Sequence, residues 1–93
     1  MQPLLSHIHS NNKNTAIVYC RTIAILDKIV GYLKRNVNDS ERPSIRPFHS
    51  DLSENYKNNT LKLLKISGIL KIVVATEALG MVRYISFIYL YFI

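Results

Sequence analysis

TAIVYC (15–20) and ILKIVVA (69–75) are the two stretches that decide the fold. Each is a short, nearly continuous run of apolar residues, rich in valine and isoleucine. Such a run is typical of a strand buried on both faces, as in a parallel sheet whose faces are covered by helices. The sequence therefore predicts an α/β fold, with these two runs as strands of one parallel sheet.

Two helices and one more strand are predicted between these runs. The helical spacing of apolar residues predicts a helix over 22–35, with an inner face made of Ile25, Leu26, Ile29, Val30 and Leu33. A short strand is predicted over 44–48, where Pro47 indicates an edge position or a bend. Ser53 is the expected N-cap of a helix that ends near 66, before Ser67-Gly68, with Lys57 facing water. The order β-α-β-α-β is that of a parallel α/β layer.

Length and charge limit the class of protein. The chain has 93 residues, enough for one small domain, and its single cysteine excludes a disulfide scaffold. The polar residues 1–14 are not a secretory signal, so we expect an intracellular protein. Its net charge of +6 fits a polyanionic partner, nucleic acid first, but also a merely solvated cationic surface.

Polar residues follow each predicted strand: Cys20-Arg21-Thr22, His49-Ser50-Asp51 and Thr76-Glu77. Parallel strands carry their ligand sites at their carboxyl ends, so we expect these clusters to lie side by side. An arginine and short hydroxyl side chains beside helix N-termini are good donors to phosphate. For the threonines and the aspartate, simple helix capping is an equally sound interpretation.

Other site chemistries are weaker. The chain has no phosphate-binding G-x-x-x-x-G-K-[ST] loop and no G-x-G-x-x-G. His7 and His9 lack further clustered metal ligands, so no metal site is predicted. Cys20 and His49 could pair as nucleophile and base, but a buried structural cysteine is the better interpretation.

The last residues, YISFIYLYFI (84–93), carry no charge. As a helix they would span about 15 Å, half a bilayer core, which argues against a membrane-spanning helix and a membrane partner. Their aromatic and β-branched residues are typical of a strand or of a segment prone to aggregate. We expect this tail to pair at an open edge of the sheet as a fourth strand. The alternative is a small non-enzymatic interaction module that docks on a partner or membrane surface through this tail.

Three motifs resemble those of a known family. AIVYCRT (16–22) resembles helicase motif IV, FHSDLS (48–53) resembles the next strand-end motif, and IVVATEALGM (72–81) resembles motif V. Their order and spacing are similar to the second RecA-like domain of superfamily 2 helicases. The ending Gly80-Met81 is similar to that of RecQ-like ATP-dependent DNA helicases.

The resemblance implies a fold, partners and roles. The fold would be an incomplete RecA-like, P-loop NTPase-like helicase C-terminal domain, a three-layer parallel sheet. It would grip the phosphate backbone of single-stranded DNA and move 3′ to 5′, in nuclear DNA repair or recombination. The implied backbone-binding residues are Arg21, Thr22, Ser50, Asp51 and Thr76. Glu77 and Gly80 would face the nucleotide cleft.

The resemblance also divides the chain. Residues 1–14 form a polar lead-in, 15–81 the partial domain, and 82–93 an apolar tail outside the family pattern, so we expect truncation after motif V. No acidic residue follows Gly80-Met81 as in the family, and no arginine-finger motif is present. ATP and Mg²⁺ are implied for the full-length family, held by a first RecA-like domain. The chain alone holds no cofactor on this pattern and is not expected to hydrolyse ATP or to unwind DNA.

Overall fold

The computed structural model describes Ile8, residues 14–77 and residues 87–93. Within them, all the strands are parallel and form one sheet in the order β2-β3-β1-β4. The elements are β1 (Thr15–Tyr19), α1 (Ile23–Arg35), a 3₁₀ turn (Arg42–Ser44), β2 (Ile45–Phe48), α2 (Glu54–Leu64), β3 (Ile72–Ala75) and β4 (Ile88–Phe92).

The two central strands are the two runs that the sequence singled out. In β1, Ile17 and Val18 are completely buried, and in β3 so are Val73 and Val74. Each of these strands has a hydrogen-bonded neighbour on both sides and a packed layer on both faces, which accounts for the unbroken apolar sequence.

One helix covers each face of the sheet. Leu26, Ile29 and Leu33 of α1 pack against Val18 and Val74 on one face. On the other face, Leu64 of α2 packs with Ile17, Val73 and Phe48 of the sheet. Full burial of a leucine or isoleucine side chain contributes about 1.5–3 kcal/mol to folding, so these two cores supply much of the stability of the domain. The arrangement confirms the predicted three-layer α/β architecture.

Helix α1 begins one residue later than predicted. Thr22 is its N-cap, because the Thr22 hydroxyl oxygen accepts a hydrogen bond from the Ile25 N–H at 3.1 Å. Lys34 and Arg35 lie in the last turn, where they face the negative end of the helix dipole. The placement of Ile25 on the inner face was wrong, since it is 37% exposed at the margin of the apolar stripe.

Helix α2 begins as predicted, with the Ser53 hydroxyl accepting from the Tyr56 N–H at 3.1 Å. It ends at Leu64 rather than near 66. Gly68 then turns the chain with φ of 88°, a conformation that side chains disfavour and glycine adopts freely.

Three strands are shorter than predicted, and the first of them, β1, ends at Tyr19 rather than at Cys20. Ser44 belongs to the 3₁₀ turn, where its hydroxyl donates to the Glu41 carbonyl, so β2 begins at Ile45. β3 begins at Ile72. The Leu70 carbonyl accepts a hydrogen bond from the Thr15 side-chain hydroxyl at 2.7 Å, so Leu70 lies outside the strand. β2 is an edge strand, which is one of the two possibilities that Pro47 indicated.

The apolar tail does form a fourth strand. β4 pairs in parallel with β1 from Thr15↔Ile88 to Tyr19↔Phe92. Backbone hydrogen bonds continue the pairing beyond both ends, from the Thr15 N–H to the Phe87 carbonyl and from the Ile93 N–H to the Tyr19 carbonyl. Within the described ranges, no helix has the length and apolar character needed to cross a bilayer.

Candidate nucleic-acid interface

The last residues of the four strands stand in one row across the sheet. Phe92 of β4 is in register with Tyr19 of β1, Tyr19 with Ala75 of β3, and Ala75 with Phe48 of β2. The loops that leave these strands therefore emerge along one edge. We call the loops 20–22, 49–51 and 76–77 the carboxyl rim. The predicted convergence of the three polar clusters is confirmed, while their role in binding stays a prediction.

The first loop of the rim is held to the sheet and opens into α1. The Cys20 N–H donates to the Ala75 carbonyl at 2.9 Å, which continues the pairing of β1 with β3. Arg21 and Thr22 are both exposed. Capping uses the Thr22 oxygen as an acceptor and leaves its hydroxyl hydrogen able to donate to a phosphate oxygen. Capping and phosphate binding are thus compatible at Thr22.

The second loop is shaped by a buried histidine. His49 is 8% exposed, and its Nδ1 accepts a hydrogen bond from the Asp51 N–H at 3.2 Å. The Leu52 N–H closes the same turn onto the His49 carbonyl. This turn presents Ser50 and Asp51 to solvent. Asp51 is not the cap of α2, because Ser53 fills that position.

The third loop is fastened to the second. The Thr76 N–H donates to the Phe48 carbonyl at 3.2 Å, and both Thr76 and Glu77 are half-buried. Gly80, the other residue expected at the nucleotide cleft, lies outside the described residues.

Lys57 is the residue at the rim that the sequence analysis missed. It was expected to face water, but its side chain is only 12% exposed. Its Nζ lies 3.3 Å from a carboxylate oxygen of Glu54, 3.5 Å from one of Glu77, and 5.8 Å from the centre of the Phe48 ring. The i,i+3 spacing of Glu54 and Lys57 signals the first contact, but only the fold brings Glu77 near.

The environment of Lys57 stabilises its charge. Burial lowers its pKa, but the hydrogen bonds and charges of Glu54 and Glu77 outweigh that effect, so the pKa is raised above the ordinary lysine value. The positive charge partly offsets the Glu77 carboxylate, which would otherwise repel an anion approaching the rim.

Comparison with known proteins agrees with this geometry. The family model of the helicase conserved C-terminal domain matches residues 1–83. The chain belongs to this family. No curated protein and no solved structure matches it. The membership associates the chain with helicase-type, nucleic-acid-related function. The match to this helicase C-terminal domain ends at residue 83, so β4 (Ile88–Phe92) lies outside the matched residues.

Cys20 of the helicase C-terminal domain is not arranged as a nucleophile. It is buried, and its Sγ lies at donor distance from the carbonyls of Thr22 (3.7 Å) and Ala75 (3.8 Å). Burial raises the pKa of the thiol, against a smaller lowering by the Thr22 backbone. A neutral, hydrogen-bonded thiol is a poor nucleophile. His49 is already engaged with Asp51, which further disfavours a Cys20–His49 pair.

Metal ligation finds no support in the described part of the chain. Across Ile8, 14–77 and 87–93, no group of three or more His, Cys, Asp or Glu side chains is placed to hold an ion. His7 and His9 lie outside those residues.

Proposed function

We propose that the carboxyl rim binds the phosphate backbone of single-stranded DNA, and that the chain is the second motor domain of a RecQ-like, ATP-dependent 3′–5′ DNA helicase. The observation that supports it best is the common register of Tyr19, Ala75 and Phe48 at the ends of adjacent strands. This register lets one extended strand of nucleic acid touch three loops at once.

The donors at the rim suit a phosphate chain. Arg21 offers a charged, exposed guanidinium, and Thr22, Ser50 and Thr76 offer hydroxyl groups. α1 begins directly after Thr22, so its unpaired N–H groups and dipole add a positive potential there. Asp51 contributes through the shape of its turn rather than through its carboxylate, which would repel phosphate. None of these groups reads a base edge, so binding is independent of sequence.

The motor activity needs a first RecA-like domain. The sequence contains no phosphate-binding G-x-x-x-x-G-K-[ST] loop. In our proposal the first domain holds ATP and Mg²⁺, and the end of the rim at Glu77 faces the nucleotide between the domains, as the family motif also implies for Gly80. The same proposal gives the full protein a nuclear role in DNA repair or recombination.

Docking through the apolar tail is the less well supported function. Ile88 and Tyr91 pack against the cores on opposite faces of the sheet, and the β4 backbone pairs with β1. The β4 backbone and these two side chains are therefore committed to the fold, while Tyr89, Leu90, Phe92 and Ile93 remain exposed.

The test is a titration of the full chain with a labelled oligothymidylate of roughly 15 nucleotides, followed by fluorescence anisotropy between about 50 and 200 mM salt. Binding that weakens with salt is expected. Arg21→Gln removes one phosphate contact, so the slope of log K against log salt becomes less negative by about 0.7.

Arg35→Gln is the matched control. Arg35 is an exposed arginine at the far end of α1, about 18 Å along the helix from Ile23, and its loss should leave the slope unchanged. The absence of salt-dependent binding, or equal effects of the two variants, would contradict the proposal.

A further inference from the structure

The end of β4 brings an aromatic pair to the carboxyl rim, and we propose that this pair is a stacking platform for a nucleobase of single-stranded nucleic acid. The pair consists of Tyr19 and Phe92. The inference rests on the proposed function, because it takes its ligand from the strand that the rim binds. It assigns a binding role to a segment that lies outside the residues matched by the family model.

The two rings are already stacked. Their centroids lie 5.5 Å apart and their planes are 19° from parallel. The Ile93 N–H donates to the Tyr19 carbonyl at 2.8 Å, so the backbone of β4 is held to β1 directly beyond the pair. Tyr19 is half-buried and packs against the core beneath α2. Its ring therefore gives Phe92 a fixed support.

Phe92 remains largely open to solvent. It is 75% exposed, more than any other large apolar residue among those described. An exposed phenylalanine leaves apolar surface in water that a flat, polarisable partner can cover. A nucleobase laid on Phe92 would continue the existing stack. Stacking of this kind accepts every base, which fits a rim that makes sequence-independent contacts.

The position of the pair relative to the rim decides the occupant. Tyr19 directly precedes Cys20-Arg21 in the chain, so the platform adjoins the loop that offers the guanidinium. A single-stranded nucleic acid carries both an anion for that loop and a base for the ring. Binding sites for single strands combine a positive path for the backbone with aromatic platforms for the bases.

Tyr89 provides a contrast within the same strand. It is also aromatic and 46% exposed. It is in register with Ala16 near the amino-terminal end of β1, about 10 Å from Phe92 along β4. Its hydroxyl accepts a hydrogen bond from Asn14 at 2.9 Å. Because of its distance from the rim, Tyr89 serves as the matched control for Phe92.

The experiment compares two oligonucleotides of equal charge on the full chain. One is oligothymidylate of roughly 15 nucleotides, and the other is an abasic strand of the same length, which keeps the phosphates and lacks the bases. We expect the wild-type chain to bind the thymidylate strand about tenfold more tightly. Phe92→Ala should remove this preference and leave the affinity for the abasic strand unchanged, while Tyr89→Ala keeps the preference.

Phe92→Trp gives a direct readout. The chain contains no tryptophan, so this variant carries a single emitter on the platform. Thymidylate should quench its fluorescence and retain the preference over the abasic strand. Quenching by both strands alike would contradict base stacking.

The possible failures are distinguishable. Equal wild-type affinity for the two strands would overturn the stacking platform and leave phosphate binding at the rim intact. A preference that survives in Phe92→Ala would also overturn it. Failure to bind either strand would overturn the proposed function and this inference together.

Discussion

β1 and β4 are neighbouring strands of similar apolar character in very different surroundings. Ile17 of β1 and Leu90 of β4 are in register, yet Ile17 is completely buried and Leu90 is 46% exposed. β1 has a strand on each side and a packed layer on each face, whereas β4 is the edge of the sheet. An apolar run therefore reports that a segment joins a sheet, while the strand order determines how much of it is buried.

The two strands also serve the rim differently. The buried centre fixes where the loops after β1 and β3 emerge, because their last residues are locked in register. The edge strand leaves side chains in water, where they can meet a ligand. Natural proteins usually protect such an edge with charge or proline, and neither occurs in residues 88–93.

The largest expected difference between β1 and β4 is the loss of stability when paired residues in the two strands are truncated to alanine. Ile17→Ala leaves a cavity between the sheet and α2 and should lower the free energy of unfolding by about 2–5 kcal/mol. Leu90→Ala removes a side chain that is already half in water and should cost about 0.5–1 kcal/mol. Urea denaturation, monitored by circular dichroism, measures the free energy of unfolding of both variants.

Similar losses in the two variants would mean that β4 carries as much of the core as β1, and the comparison would fail. If Ile17→Ala is too unstable to fold, Val18→Ala on the opposite face of β1 makes a smaller cavity and should still exceed Leu90→Ala.

The sequence predicted the centre of the fold better than its margins. Periodicity and runs of β-branched residues identify β1, β3 and both helices, because burial there is dictated by local pattern. Element ends shifted by one to three residues where hydrogen bonds outside the pattern intervene, as at Ser44 and Leu70. The Thr15–Leu70 contact joins residues that are 55 positions apart, so no local pattern can reveal it, whereas the Ser44–Glu41 contact lies within one turn.

The candidate site was predictable to the same extent. Strand direction alone was enough to bring Arg21, Ser50 and Thr76 to one edge. The Lys57–Glu77 contact and the Tyr19–Phe92 stack were not predictable, since each needs the relative position of two elements. The Lys57–Glu77 contact depends on how α2 packs on the sheet. The Tyr19–Phe92 stack depends on the pairing of β4 with β1.

The cap that follows the central strand should have an intermediate effect. Thr22→Ala removes the acceptor for the Ile25 N–H and should lower the free energy of unfolding by about 1 kcal/mol. Thr22→Ser keeps that acceptor and should retain most of the stability. Urea midpoints measure this effect, and the oligothymidylate titration measures binding on the same variants. If Thr22→Ser restores stability and Thr22→Ala binds as tightly as wild type, Thr22 is a cap alone and not a phosphate ligand.

The smallest effect is expected from a change at Lys57, beside β2, which is the edge strand on the other side of the sheet from β4. There Phe48 of β2 lies beneath the Lys57 ammonium instead of standing open like Phe92. Because Glu54 and Glu77 raise the pKa of Lys57, its contribution is fully present below the ordinary lysine value of 10.5 and is lost as pH rises through the higher folded value. Lys57→Met should therefore be less stable than wild type at neutral pH. This difference in stability should shrink as the pH rises through the folded pKa of Lys57. Urea midpoints of both proteins across the alkaline range measure it, and the difference cancels titrations that they share, such as that of Cys20. A difference that stays constant with pH would mean that Lys57 acts by packing on Phe48 and not by its charge.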